Sequence, residues 1–246
     1  MDKLQKIALN YKEILNMRYY FEIAKKQNMQ IFNLTFEKTD FFHLAGLHKL
    51  TDIAAVQSEP NKEIVFNNII NGSISHDLIQ HSRFYSSIHN RLSYLGDIGK
   101  ILDSNQIVFK YLSKSNRLSR IEADYLLENA HETDIIYIFL NERVKVDKGN
   151  IPIMCCRSFF PMSQLDYTKN QPSYTLLKKI RIDTVTGERV VQYDRSKILD
   201  QAKAAPSETE RRSILAQLNE KRAQVAIRNV LEGKQELRKD KQEHAR

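Results

Sequence analysis

The chain has 246 residues, a hydrophobic fraction of 41%, a charged fraction of 28% and a formal net charge of +8 at pH 7. This length allows one or two domains with a real core, and the sequence contains no run of about 20 apolar residues that could cross a membrane. The N-terminal residues do not resemble a signal peptide, and the two cysteines are adjacent, so we expect a cytoplasmic protein without a disulfide and without membrane contact.

The first fifty residues predict a helix, a strand and a second helix. Apolar residues recur at helical spacing near the start and predict one amphipathic helix over residues 1–27. Residues 29–36 alternate between apolar and polar side chains, as in a half-buried strand. Asp40 is a typical N-cap residue, so a helix is expected to begin there and to place His43 in its first turn.

The central part of the chain reads mainly as helix. Residues 61–70 and 75–102 carry apolar stripes, although Gly96 and Gly99 interrupt the second. This second segment contains three histidines, at positions 76, 81 and 89, whose spacing differs from the i, i+4 spacing of helical zinc ligands. We therefore predict no metal site. A short strand over Ile107–Leu112 and a helical segment over Ile121–Ala130 complete this part.

The following residues predict a sheet. Three β-rich runs, at 134–140, 151–159 and 173–183, are separated by turn and loop residues. Thr186 and Gly187 form a turn, after which residues 189–193 return as a hairpin partner. The last sheet-like residues end near position 194.

The C-terminal segment differs in composition. Residues 195–246 hold a net charge of +5 out of the total of +8, and an amphipathic stripe predicts a charged helix after Pro206. We therefore divide the chain into residues 1–194, a sheet-containing domain with an N-terminal helix, and residues 195–246, an appended helix and tail. This helix could pack on the domain, bind a neutralising protein or lie along nucleic acid.

The segment FFHLAGL, preceded by IFNLTF within residues 29–50, resembles a signature of the barnase/EndoU/colicin/RelE-like (BECR) nuclease domains of phages and mobile elements. This resemblance implies an α+β fold in which a small antiparallel sheet packs against N-terminal and central helices. It also implies a metal-independent ribonuclease without a cofactor. The groups of this fold vary their catalytic residues, so the resemblance does not assign them here.

Metal-free RNA cleavage requires a base for the ribose 2′-hydroxyl and cations for the phosphate oxygens. His43 is the candidate base, because a helix N-terminus favours a neutral imidazole and attracts phosphate. The alternative is that His43 only packs at a helix start. The other candidates for the catalytic site are Arg157, Ser158, Tyr174, Thr175 and Lys178. Candidate nucleic-acid contacts are Lys49, Arg83, Lys114, Arg117 and Arg120.

The function favoured by these features is a metal-independent endoribonuclease of a phage or mobile element, acting as a toxin or defence effector in the bacterial or phage-infected cytoplasm. RNA would be its substrate, and a neutralising protein could bind the C-terminal helix. Two alternatives from other classes stay open: a non-catalytic binding protein of a mobile element, which would use the basic surface, and a structural phage protein. The sequence does not predict an oligomeric state.

Overall fold

A computed structural model describes residues 1–104, 107–116, 119–146, 151–163, 165–204 and 216–229, without the side chains of 144–146 and 200–204. Its helices are α1 (Lys3–Ile14), α2 (Lys38–Leu44), α3 (Ala54–Gln57), α4 (Lys62–Ile70), α5 (His76–Gln80), α6 (His89–Leu95), α7 (Ile98–Ser104), α8 (Arg195–Ala204) and α9 (216–229). Its strands are β1 (Met17–Lys25), β2 (Asn28–Thr35), β3 (Ile107–Lys110), β4 (Tyr125–His131), β5 (Asp134–Val146), β6 (Pro152–Pro161), β7 (Ser173–Asp183) and β8 (Arg189–Asp194).

The strands form a closed barrel instead of the small open sheet that we expected. Their order is β1-β2-β6-β5-β4-β3-β7-β8, and an additional antiparallel pairing between β1 and β7 joins the two sides. The pairing of β2 with β6 is parallel, so the expectation of a purely antiparallel sheet is also wrong. The α+β class is confirmed. Closure matters for function because it fixes which strands can share a site.

Strand β1 replaces the second half of the helix predicted over residues 1–27. Tyr19, Phe21 and Ile23 are buried, whereas the side chains between them are partly exposed. This period of two is incompatible with one face of a helix. The helix predicted over Ile121–Ala130 is also wrong, because strand β4 occupies most of this segment. Strands β1 and β4 both obtain their hydrogen bonds from neighbouring strands.

The barrel interior and the helices share one hydrophobic core. Phe32 of β2 stacks on Tyr125 of β4 with ring centroids 5.1 Å apart, although two strands separate them in the sheet. Phe36, directly after β2, contacts both Tyr19 of β1 and Tyr11 of α1. The helices therefore pack onto the same core that fills the barrel.

The long helix predicted over residues 75–102 is three helices, α5, α6 and α7. Each has its own buried residues, among them Ile79, Leu92 and Ile101. The interruptions allow the chain to turn, so that α6 packs on β6 and α7 on β4. A single straight helix could not contact both strands.

Helix α9 docks on the outside of β4. Val225 is buried, and the Arg222 Nε atom donates a hydrogen bond of 2.9 Å to Glu128, which is only 1% exposed. The Lys221 Nζ atom donates to the carbonyl oxygen of Glu132 at 3.0 Å. Packing on the domain is one of the options predicted for this segment. The division after residue 194 and a neutralising partner for the helix stay predictions.

Candidate active site

Helix α2 begins three residues earlier than expected. Glu37 is its N-cap residue, and Asp40 is the third residue of the helix, where its carboxylate accepts a hydrogen bond of 2.8 Å from the Glu37 N–H. The helix ends at Leu44, so His43 lies in its last turn. The predicted position of His43 at a helix N-terminus is therefore wrong, and the helix dipole cannot disfavour its protonated form there.

Gly46 reverses the chain directly after α2. Its φ is +77°, and a Cβ atom at this position would lie 2.8 Å from Ile88 Cγ2 and 2.9 Å from Arg91 Cδ. A 3-10 helix over Leu47–Lys49 follows. Because of this reversal, the ring centroid of His48 lies 5.3 Å from that of His43. A continuous helix would have directed the two side chains to different faces.

Three basic side chains lie against the ring of Phe42. Its ring is almost fully buried, and the Lys62 Nζ atom of α4 lies 4.3 Å from its centroid. The rings of His43 and His48 lie 5.6 Å and 6.5 Å from the same centroid. Phe42 thus holds together groups from α2, the 3-10 helix and α4.

Arg157 reaches this site from a β-bulge in β6. Phe139 of β5 pairs with Ser158, but the next residue, Leu140, pairs with Cys156, so that Arg157 has no opposite residue. A bulge bends its strand and redirects the extra side chain, and such irregularities are frequent beside active sites. Arg157 is exposed and close enough to both histidines to affect their protonation.

The two imidazoles are held in the neutral form. Both rings reach solvent, but the protein covers part of each. Burial lowers the pKa of His43, and the positive charges of Arg157 and Lys62 lower it further. Burial likewise lowers the pKa of His48 to about 4. Repulsion from His43 when that ring is protonated, and from the positive charges of Arg91, Lys49 and Arg157, lowers it further. At pH 7 both rings can therefore accept a proton.

Arg91 and Lys49 approach the site beside His48. Arg91 belongs to α6, and its guanidinium lies 5.9 Å from the centroid of Phe160 in β6. Burial lowers the pKa of the Lys49 ammonium, and the charge of Arg91 adds to this effect. Lys49 is thus partly covered by the protein and lies near the positive charge of Arg91.

An ion-pair network fastens α2 to the barrel. The Arg143 guanidinium of β5 contacts Glu37 at 3.0 Å and also donates to the Asp40 carboxylate. The Tyr11 hydroxyl donates to the carbonyl oxygen of Glu37 at 3.0 Å. These contacts fix the start of the helix that carries His43. Arg143 therefore acts on the site through α2.

Of the predicted catalytic residues, the structure brings Arg157 to His43. Ser158 follows Arg157 but lies opposite Phe139. The remaining three belong to β7, which pairs with β1, β3 and β8 and lies across the barrel from β6. Tyr174 contacts Tyr125 in the interior, Thr175 is exposed opposite Ala24, and Lys178 lies 3.9 Å from Asp194.

A second bulge interrupts the alternation of side chains along β7. Ile23 of β1 pairs with Leu176, whereas Glu22 pairs with Lys178. Lys179 therefore shares the inner face with Leu176, and it is fully buried. Lys178 lies on the outer face with Glu22, so its catalytic role stays a prediction that no contact to His43 supports.

Of the predicted nucleic-acid contacts, Lys49 lies in the site. Arg83 is exposed elsewhere, with its guanidinium 4.8 Å from the centroid of Phe84. Lys114 and Arg120 are exposed in the connection between β3 and β4, and Arg117 lies outside the described residues. The structure does not place Arg83, Lys114 or Arg120 beside His43.

Sequence reasoning missed His48, Lys62 and Arg91. The signal for His48 was Gly46, which could have marked the end of a helix. Lys62 and Arg91 reach the site only through packing of α4 and α6, for which the sequence carries no local signal.

Within the described ranges, no three His, Cys, Asp or Glu side chains come together as a metal-binding group. Nor is any helix in that part of the chain both long and apolar enough to cross a membrane.

Comparison with known proteins gives one match. Residues 3–196 match the family model described as phage-Barnase-EndoU-ColicinE5/D-RelE like nuclease4. No curated protein and no solved structure matches the chain. The matched range includes every residue of the site around Phe42.

Proposed function

Because the chain belongs to the family of phage barnase/EndoU/colicin E5/D/RelE-like nucleases, we propose that it is an endoribonuclease that cleaves by attack of the ribose 2′-hydroxyl. The reaction would need no metal ion or cofactor. The proposal includes a role as a toxin or defence effector of a phage or mobile element. Membership of a nuclease family supports the enzyme class, and the site around Phe42 supports the chemistry.

The observation that carries this proposal is the pair of imidazoles beside Arg157. His43 and His48 are 5.3 Å apart, and Arg157 acts on both. A base, an acid and a phosphate-binding cation are the groups that transesterification of RNA requires. Members of this site come from α2, the 3-10 helix and β6, which are held by a common core.

In the proposed step, neutral His43 takes the proton of the 2′-hydroxyl while the 2′-oxygen forms a bond to phosphorus. Arg157 stabilises the charge on the non-bridging oxygens. The bond between phosphorus and the 5′-oxygen breaks, and His48 donates a proton to that oxygen. A bound phosphodiester offsets the surrounding positive charge and so raises the pKa of His48 towards that of a useful acid. The products are a 2′,3′-cyclic phosphate and a 5′-hydroxyl.

The test is incubation of the purified protein with a single-stranded RNA in the presence of EDTA, with the ends of the products identified. We expect cyclic phosphate ends from the wild-type protein and a loss of about 10²- to 10⁴-fold in rate for His43→Ala. His81→Ala is the matched control. His81 is also an exposed histidine at the end of a helix, but its ring bonds to the carbonyl oxygen of Asp77 and is not part of the site.

A substrate with a single 2′-deoxyribose at the cleavage position should resist cleavage there. Cleavage of that substrate, or wild-type activity in His43→Ala, would refute the mechanism. Binding of RNA without any cleavage would favour the alternative of a non-catalytic binding protein. Since His43 is exposed, we expect its replacement to leave the melting temperature nearly unchanged.

A further inference from the structure

Positive side chains flank the two histidines on both sides. Lys62 acts on His43, whereas Arg91 and Lys49 act on His48. Lys62 lies over the ring of Phe42, the residue before His43, whereas the Arg91 Cδ atom packs beside Gly46, directly before the 3-10 helix that carries His48 and Lys49. Lys62 therefore marks the His43 end of the site, and Arg91 with Lys49 marks the His48 end. The charge of Arg157 affects both rings. We call this arrangement the basic track.

The end at Lys62 is held in place before any ligand binds. Its Nζ atom donates a hydrogen bond of 2.7 Å to the carbonyl oxygen of Glu59 and lies over the Phe42 ring at 4.3 Å. An ammonium group has three donors, and a cation over an aromatic face keeps its charge available to an anion. A lysine restrained in this way loses less side-chain entropy on binding phosphate than a free surface lysine.

The end at Arg91 is also restrained. Its side chain is half-buried, its Cδ atom lies close to Gly46, and its guanidinium approaches Phe160. Burial lowers its pKa, so the protein accepts a desolvation cost to keep a cation here. Such a cost is commonly offset at a site where an anion binds.

We propose that the basic track binds three consecutive phosphates of a single-stranded RNA, with the scissile phosphate at Arg157 and its neighbours at Lys62 and at Arg91 with Lys49. This deepens the proposed function, on which its assignment of the central phosphate rests. The reaction favours a single strand, because the 2′-oxygen must come into line with the leaving 5′-oxygen, and a regular duplex holds the backbone away from that geometry.

The experiment measures binding separately from cleavage. The probe is a fluorescent, fully 2′-O-methylated single strand of about ten nucleotides, which cannot be cleaved and fills a site of this size. Its dissociation constant is measured by anisotropy over a range of salt concentrations at pH 7.5. Each phosphate neutralised contributes about 0.7 to the slope of log K against log salt.

We expect Lys62→Ala to weaken binding of this strand several-fold and to reduce the salt slope by about 0.7. Lys100→Ala is the control, because Lys100 is an exposed lysine of α7 that pairs with Asp97 and lies outside the track. A 2′-O-methylated dinucleotide has only one phosphate and cannot reach the end at Lys62 from the centre of the track. It should therefore bind both variants and the wild type equally. Tighter binding of a duplex than of the single strand, or an unchanged slope in Lys62→Ala, would overturn the proposal.

The two proposals fail in different ways. If the salt slope falls as expected but no RNA is cleaved under any condition, the ribonuclease mechanism is wrong and the track remains as a binding site. If RNA is cleaved with the expected ends but Lys62→Ala binds like the wild type, the mechanism stands and the track is wrong.

Discussion

The neutral state of His43 determines how the proposed reaction depends on pH. A base acts in its unprotonated form, so kcat/KM should rise as the pH increases through the pKa of His43 in the free protein, when the substrate has a leaving group, such as nitrophenolate, that needs no proton from His48. Burial and two nearby cations lower that pKa below its ordinary value of 6.5. The enzyme should therefore reach its plateau at a lower pH than an ordinary histidine would allow.

Replacement of Arg157 by Met should change this profile in two ways. Loss of the nearby positive charge raises the pKa of His43, so the acidic limb of kcat/KM should move to higher pH. Loss of phosphate stabilisation should also lower the plateau by about 10²-fold or more. The measurement is kcat/KM on the same nitrophenyl substrate between pH 4.5 and 8, a range chosen to bracket the ordinary histidine pKa of about 6.5. A limb that stays in place or moves to lower pH would contradict the assignment.

At the scale of single residues, the sequence identified some of the site for an incorrect reason. His43 was selected because Asp40 suggested a helix start, yet the structure places His43 at the helix end. The neutral imidazole follows instead from burial and neighbouring cations. Such effects depend on Lys62 and Arg157, which approach from distant parts of the chain, so local patterns could not reveal them.

Among the elements, the turn at Gly46 has the clearest consequence for the site. It ends α2 and returns the chain so that His48 meets His43. The position needs glycine for two independent reasons, a positive φ and a close approach to Ile88 and Arg91. Gly187 has a similar φ of +76° but open space around it. Alanine substitutions at these two positions therefore allow the energetic cost of backbone strain to be distinguished from that of steric overlap.

Gly46→Ala should destabilise the protein by about 3 kcal/mol, because left-handed strain adds to overpacking against α6. Gly187→Ala should cost only about 1 kcal/mol, the strain alone. Urea unfolding of both variants measures the difference. Activity under folding conditions should fall in Gly46→Ala, since His48 is displaced, and stay at the wild-type level in Gly187→Ala. Equal destabilisation of the two would show that α6 moves aside.

Sequence patterns located most strands but not their partners. The alternation in residues 29–36 and the apolar runs at 134–140 and 151–159 correspond to β2, β5 and β6. The sequences of β1 and β4 also fit a helical period, because short amphipathic segments can satisfy both periods. Bulges at Arg157 and in β7 were also not predicted, since register shifts arise from pairing between strands.

For the molecule as a whole, α9 contributes to the stability of the barrel through a nearly buried charge. Arg222 pairs with Glu128, whose side chain has no exposed surface. Burial raises the pKa of Glu128 and outweighs the opposing effect of Arg222. The carboxylate is thus a group whose charged form the fold tolerates only with a cation nearby.

Arg222→Ala should therefore destabilise the protein by about 3 kcal/mol at pH 7. Without the guanidinium the pKa of Glu128 rises further in the folded state, and a raised carboxyl pKa favours folding once the pH falls below it. The deficit should consequently shrink as the pH is lowered. Lys221→Ala, which removes a bond to a backbone carbonyl oxygen on the same helix, should cost less than about 1 kcal/mol. Equal melting temperatures of the two variants would contradict the argument.

Closure of the barrel could not be predicted from the sequence. It depends on the pairing of β1 with β7 and of β2 with β6, each between segments more than 100 residues apart. None of these four strands carries a local signal for its partner. The α+β class was implied by the resemblance to the BECR nuclease domains, and the helical and alternating runs agree with it. Arg157 is likewise more than 100 residues from His43, so its place in the site could not be predicted for the same reason.

The parallel pairing of β2 with β6 also bears on the order of events during synthesis. A growing polypeptide that ends before β6 already carries both histidines and Lys62, but it lacks Arg157 and the strand that brings this cation to them. On a ribosome, the groups proposed to cut RNA are therefore assembled only after roughly two thirds of the chain has been translated. A partly made copy would be unable to attack the messenger that encodes it.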